Sequence, residues 1–410
     1  MPNANTWGAL PKTLDDNQTI AEFAAEQLSI HNADDSAHGQ SNEAIYNHRI
    51  AEILDHLDQS IINGKIIASH RTYNAVVGTD PEDDFDDIQD AIDFVHSIGG
   101  GTVFIKPGTY TQAENIVLYS NITLESNDAN STIIDFNDSG FYVQIHGTDS
   151  VVLENITIRN IAITGVNYIA DAALYANYVD DLVIENCIFT AMIYSSPYGT
   201  IDTLLTNCNR ITLRNNYHAD SIICYQPGLC TDVFITNNYV ENASYTFTDL
   251  WDIGSKITIA GNYVAECAGF FYTEYGADNI LITDNYVNTF SYIGIYLGAA
   301  SNSIITNNHL YGNDQNFPGI WLTVLNRCIV TNNYIYNFNQ SGIFLANTDT
   351  GVDRCVVSNN VCNSNDRYGI EIAGANCNNN IILGNMLANN TLGGYLNNGT
   401  GTELGHNVTT

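Results

Sequence analysis

The feature that most constrains this chain is a six-residue word that returns along most of its length. It starts at Ile122 as ITLESN and recurs at Val151, Leu182, Ile211, Val233, Ile257, Ile280, Ser303, Cys328, Cys355, Asn380 and Thr402, with starts 22 to 31 residues apart. The third position is Leu, Ile or Val in all twelve copies, and the sixth is Asn in ten. Side chains alternate along a strand, so positions one and three share a face, and an aliphatic third position marks that face as buried. The Asn-Asn or Gly-Asn that closes many words is a bend, because both residue types tolerate left-handed backbone angles. A second strand recurs downstream as SYIGIYLG at 291–298, PGIWLT at 318–323, SGIFLA at 341–346, YGIEIA at 368–373 and GGYLNN at 393–398. A period of this length, built from short strands with no helical pattern between them, fits a parallel β-solenoid whose coils stack on one another. Twelve coils at about 4.8 Å each predict roughly 58 Å of stacked strands.

Charge narrows the partners. There are 12 Lys+Arg against 45 Asp+Glu, a formal charge of −33. Such a surface repels phosphate backbones and anionic lipid, which argues against nucleic acid and membrane-surface ligands. The hydrophobic fraction of 45% supports a packed core rather than a disordered acidic chain. The start, MPNANTWGALPK, has no basic or apolar signal segment, and no apolar run reaches membrane-spanning length, so membrane insertion is not expected. The nine cysteines show no CxxC pair. Cys224 and Cys230 enclose YQPGL and could close a disulfide loop, but free thiols are the expectation. Cys328 and Cys355 share an inward position one coil apart and should stack as small hydrophobes. No set of metal ligands aligns. No cofactor is expected, with Ca²⁺ left open, and the N-terminal histidines read as surface helix residues rather than metal ligands on a trimer axis.

Three segments carry a resemblance. Ile88-Gln89-Asp90-Ala91-Ile92-Asp93, then GGGTVFIKPGTY at 99–110, then Ser120-Asn121-Ile122-Thr123-Leu124 resemble the start of the right-handed parallel β-helix of the pectate-lyase-like superfamily. The resemblance covers roughly 84–410 and implies an all-β, right-handed parallel β-helix of about twelve coils. That superfamily includes polysaccharide lyases, polygalacturonases, uronan epimerases and phage tailspikes, so the fold leaves the chemistry open. The residues agree independently. Asp80-Pro81 with Glu82, Asp83 and Asp84 reads as a helix start, and Ile88, Ala91, Ile92 and Val95 form one helical face able to plug the end of a solenoid. The expected organisation is an N-terminal helical module over 1–79, a capping helix over 80–98 and the β-helix over 99–410. The stretch 31–61, with His31, His38, His48 and His56, resembles the N-terminal heads of phage tail fibres and spikes. This second resemblance implies a homotrimer joined to other virion tail proteins and a virion-surface location, or otherwise an extracellular one. A generic helical domain fits the same residues. The last word ends three residues before Thr410 with no capping helix, which would leave strand edges open and also points to a trimer.

Parallel stacking turns alignment columns into ladders in space. The residue after the sixth-position Asn reads Tyr217, Tyr239, Tyr263, Tyr286, His309 and Tyr334, a ladder suited to sugar stacking, to subunit contact or simply to stabilising a sheet face. On the second strand the outward position reads Tyr296, Trp321, Phe344 and Glu371. Upstream, TFTDLWDIG at 246–254 and FFYTEYGAD at 270–278 add Asp249, Trp251, Asp252, Tyr272, Glu274 and Tyr275. Glycoside cleavage needs two carboxylates about 5 Å apart for retention or about 6.5–9.5 Å apart for inversion, and neighbouring coils permit either. The expected catalytic acids are therefore Asp249, Asp252 and Glu274. Trp251, Tyr272, Tyr275, Tyr296, Trp321 and Glu371 are the expected substrate platform. A solvated acidic face would look the same. Lysis of uronates needs bases and cations. Arg210, Lys256, Arg327 and Arg354 precede coil words, but Asp232 interrupts them and no lyase motif aligns, so hydrolysis is the stronger enzymatic reading. Three functions fit: a virion spike that binds, and as a second activity hydrolyses, a host cell-surface polysaccharide; a free extracellular polysaccharide-active enzyme; and a non-catalytic adhesive β-helix.

Overall fold

The computed structural model describes residues 61–62, 65–66, 73–166, 172–190 and 201–410, apart from 251, 253, 275, 291, 314–315 and 347–350. The chain divides into two units, Met1–Thr72 and Tyr73–Thr410. In the first, the described residues form a short antiparallel ladder of Ile61–Ile62 on Lys65–Ile66. The helical module expected there, with its four histidines, lies outside the described residues. No helix among the described residues is long and apolar enough to cross a membrane.

The second unit is a parallel β-helix, with parallel pairings throughout its named strands. Words stack on words. Ile211 pairs with Val233 and then Ile257, while Leu213 pairs with Ile235 and then Ile259, and all six are fully buried. One word shifts. The structure pairs Thr157 and Ile158 with Thr123 and Leu124 below, and Ile158 with Ile184 above, so that coil is ITIRNI at 156–161 rather than VVLENI at 151–156. Both segments alternate, but Ile156 and Ile158 are buried, whereas Val151 is 63% exposed.

The two residues that end each word have separate jobs. The fifth makes the bend: Asn215, Asn237, Asn307, Asn332 and Asn359 have φ of 55–57°. The sixth turns inward as a buried asparagine ladder. In each rung the Oδ1 accepts the main-chain N–H of the asparagine before it, and the Nδ2 donates to a main-chain carbonyl. Asn262 N donates to Asn285 Oδ1 at 3.0 Å, Asn285 N to Asn308 Oδ1 at 3.1 Å and Asn308 N to Asn333 Oδ1 at 3.0 Å. Asn308 Nδ2 also reaches Ile282 O at 2.9 Å. The ladder satisfies main-chain groups that a bend would otherwise strand in the core.

A helix over Ile88–Ser97 packs on the first coils with Ile88, Ala91, Ile92 and Val95 buried, the expected face. Its start differs from expectation. Asp87 is the N-cap, accepting from Asp90 N at 3.0 Å, and the acids at 80–84 lie in the turns before it. There Asp83 takes Asp80 N–H at 2.9 Å and pairs with Lys106 at 2.5 Å, and Asp84 accepts from Val76 N at 3.0 Å. Those acids are used to tie down the strand Ala75–Val77, which pairs in parallel with Gly101–Ile105. All nine cysteines are free and buried. Cys355 Sγ accepts from Cys328 N at 3.3 Å, the expected stack.

Candidate functional site

Alternation on the second strand produces one continuous outward column. Asp249 pairs with Tyr272, Tyr272 with Tyr296, Tyr296 with Trp321, Trp321 with Phe344 and Phe344 with Glu371. The residues on either side of each rung, such as Ile295 and Leu297 or Ile320 and Leu322, are fully buried and hold the rung outward. Ring centroids are 4.9 Å apart for Tyr272 and Tyr296, 5.3 Å for Tyr296 and Trp321, and 5.9 Å for Trp321 and Phe344.

Beside the rings runs a column of small residues that the sequence reading missed. The residue one place beyond each inward Leu is Gly298, Thr323 or Ala346, next in line after Glu274. A Cβ at Gly298 would lie 2.5 Å from Thr273 O and 2.8 Å from Glu274 Cα, so only glycine fits there. Thr323 Oγ1 donates to Gly298 O at 2.7 Å. The small column runs parallel to the large one, so Tyr296, Trp321 and Phe344 each have a residue of little volume two positions on. Trp321 Nε1 is a buried donor with no partner among the described residues. The signal was available in the strings IYLG, IWLT and IFLA, one position past where the alignment stopped.

The acids fall into different environments. Asp249 is 9% exposed, and burial pushes its pKa from 3.8 up to about 6; the Glu274 charge adds to this and a hydrogen bond from Gln226 Nε2 at 3.3 Å opposes it. Glu274 is exposed and accepts from the Tyr272 hydroxyl. Burial, and then that bond, raise the Tyr272 phenol. Asp252 is half-buried on the rim of a shallow depression bounded by Leu204, Gln226 and Leu229. Trp251 and Tyr275 lie outside the described residues. Glu371 is not the open outward acid that alternation implied: it is 5% exposed, held by Arg367 Nη2 at 2.7 Å and Ser341 Oγ at 2.6 Å. It lies five rungs from Asp249, roughly 24 Å at sheet spacing, and cannot act on the same bond.

The tyrosine ladder forms as aligned. Tyr217, Tyr239, Tyr263 and Tyr286 stack at 5.1–5.6 Å, and His309 and Tyr334 continue the stack. Three of the four basic residues before coil words are tied to acids: Arg210 to Asp181 at 2.6 Å, Lys256 to Asp232 at 3.4 Å and Arg354 to Asp353 at 2.8 Å.

Residues 222–386 match the family model described as right handed beta helix region. No curated protein matches the sequence. Solved structures of similar fold include the A-module of an Azotobacter vinelandii mannuronan C-5 epimerase, with 15% identity over 77% of this chain and 94% of that chain and a TM-score of 0.53. Bacteriophage CBA120 tailspike protein 3 has 16% identity over 89% and 64%, with a TM-score of 0.54. The catalytic domain of a GH87 α-1,3-glucanase, solved in complex with nigerose, has 15% identity over 83% and 70%, with a TM-score of 0.56. The chain is a right-handed parallel β-helix.

Proposed function

We propose that this chain is a virion-associated spike or fibre protein that binds a host cell-surface polysaccharide along the ring column and hydrolyses it at the Asp249 end. The observation that carries the proposal is a buried, protonatable Asp249 set diagonally to an exposed Glu274 at the head of the ring column. Diagonal positions on adjacent parallel strands lie roughly 8 Å apart at the backbone, from the spacing between strands and along them. Side chains based there can reach the carboxyl separation of about 6.5–9.5 Å used in inverting hydrolysis. Asp249, which burial lets hold its proton up to about pH 6, donates to the glycosidic oxygen. Glu274, open to solvent and steadied by Tyr272, accepts the proton of the attacking water, with Asp252 at the rim of the same site. Sugar rings stack on Tyr296 and Trp321. The polymer is neutral or carries amines, since a uronate would meet the carboxyls of Asp249 and Glu274.

The setting belongs to the same proposal. Residues 1–79 join the spike to the tail, and the chain is a homotrimer. Its support is the head-like N-terminal string, the fold-level likeness to a tailspike and an apolar stripe on the outer face of the word sheet. There Ile304, Ile329 and Ile381, each 37–40% exposed, lie in one column of a chain carrying −33 charges. Reducing-end release from a panel of neutral polysaccharides tests the chemistry. Asp249→Asn and Glu274→Gln should lose release while keeping glycan binding; unchanged turnover in both moves the active site elsewhere. A monomer at micromolar concentration by sedimentation contradicts the trimer.

A further inference from the structure

The lumen of the early coils holds a polar cluster that the surface site does not use. Asp202, His218, Cys224 and Tyr225 are all 0% exposed, and Ser221 is 1% exposed. His218 Nδ1 lies 2.5 Å from Asp202 Oδ2, and His218 Nε2 lies 2.7 Å from the Tyr225 hydroxyl. The asparagine ladder determines which nitrogen carries the proton. Asn238 Nδ2 donates to Leu213 O at 3.1 Å and Asn262 Oδ1 at 3.0 Å, so its Oδ1 is an acceptor and takes the Tyr225 proton at 3.0 Å. Asn216 Nδ2 donates to Tyr225 from the other side at 3.1 Å. With its single proton committed to Asn238, the Tyr225 oxygen can only accept from His218, which therefore bears its proton on Nε2.

Nδ1 then faces Asp202 with one proton between them, so the pair is neutral overall whichever atom holds it. Ser221 donates to the same Asp202 Oδ2, at 2.5 Å. Asp202 Oδ1, fully buried, has no partner. Cys224 completes the group, with one ligand atom from each of Asp202, His218 and Cys224 all within 4.8 Å of one another.

We propose that the Asp202 carboxylate, the His218 imidazole and Cys224 Sγ form an internal binding site for a divalent metal ion of the zinc class. Carboxylate, imidazole and thiolate are the donors such an ion takes, at about 2.0–2.3 Å, so donors up to about 4 Å apart are spanned and the cluster needs to close by under about 1 Å. Tyr225 is already the second partner that orients a ligating imidazole through its other N–H. Charge balances. The ion brings two positive charges; the proton shared by His218 and Asp202 and the thiol proton of Cys224 both leave. The cluster is neutral before and after, which lets an ion reside in a core that tolerates no net charge. Because the site is closed to solvent, loading accompanies folding.

The test uses the full chain expressed in zinc-supplemented medium, purified natively through a chelator and measured by elemental mass spectrometry. Wild type should retain about one zinc per chain, and Asp202→Asn, His218→Gln and Cys224→Ser should each fall below about a tenth. Cys377→Ser, which removes a buried thiol that is not one of the three ligands, should keep the full load. Cobalt incorporated in place of zinc should give a thiolate-to-cobalt charge-transfer band in the wild type, a readout that stands even if a variant fails to fold. Wild type without metal, equal loading in all three ligand variants, or bound cobalt without the thiolate band each overturns the site.

Discussion

Asp249 sits one coil below Tyr272 in the outward column, and the Tyr272 phenol reaches on to Glu274. One ring thus links a desolvated carboxyl to a solvated one. The difference between the two comes from tertiary burial: both are acids on the same face of adjacent strands, yet only Asp249 has lost most of its water.

That burial gives a pH signature. The folded Asp249 pKa is raised from 3.8 to about 6, so the neutral form costs the fold nothing below the ordinary value, and the ionisation penalty grows as pH rises toward about 6. Asp249→Asn should match wild-type stability near the acid end and exceed it above about pH 6, by up to about 3 kcal/mol. Urea denaturation of both proteins across that range checks it. Turnover, which needs the protonated acid, should fall as pH rises through about 6.

The ring column should carry binding without carrying the fold. Tyr296→Ala and Trp321→Ala each remove one half-exposed stacking surface, so glycan affinity should drop roughly 3- to 10-fold per ring while the melting transition changes little. Isothermal titration with a substrate oligosaccharide on the Glu274→Gln background measures this without cleavage.

The asparagine ladder should behave oppositely. Asn308→Ala strands Asn285 N and Ile282 O inside the core, where water cannot replace the lost bonds, and should cost about 2–4 kcal/mol. Asn407→Ala, at the half-exposed last rung, should cost about 1 kcal/mol or less because water can take over. Chemical denaturation of the two variants distinguishes them; equal losses would mean the ladder adds no more inside than at its end.

All nine thiols are buried and unpaired. Burial raises Cys187, Cys267, Cys362 and Cys377, which withholds the reactive thiolate. A thiol reagent should label none of them in the native chain within the time that labels all nine in denaturant. Fast native labelling of even one would place it at the surface.

The period, the aliphatic third position and the outward aromatic rungs are local facts. Tyr296, Trp321 and Phe344 could be aligned from the strings alone because a parallel coil repeats its register at each turn. Where two alternating segments competed, as at 151–156 and 156–161, local pattern could not choose between them. The fit of Ile156 and Ile158 into the lumen did. Likewise the sixth-position asparagines read as bend residues until their neighbours one coil away showed them to be inward hydrogen-bonding rungs.

From its amino-acid sequence alone the chain was bound to be a parallel β-solenoid with an apolar lumen, a helical plug and ring-bearing outer columns, since these follow from alternation and period. Only the tertiary structure decided that Glu371 is clamped by Arg367 and Ser341, that Asp249 is desolvated while Glu274 is not, and that Asp202, His218 and Cys224 meet inside. The reason is physical. Alternation says which side of a strand a residue takes, but desolvation and partner choice depend on how one coil packs on the next, as when Ser341 holds Glu371 from 30 residues away.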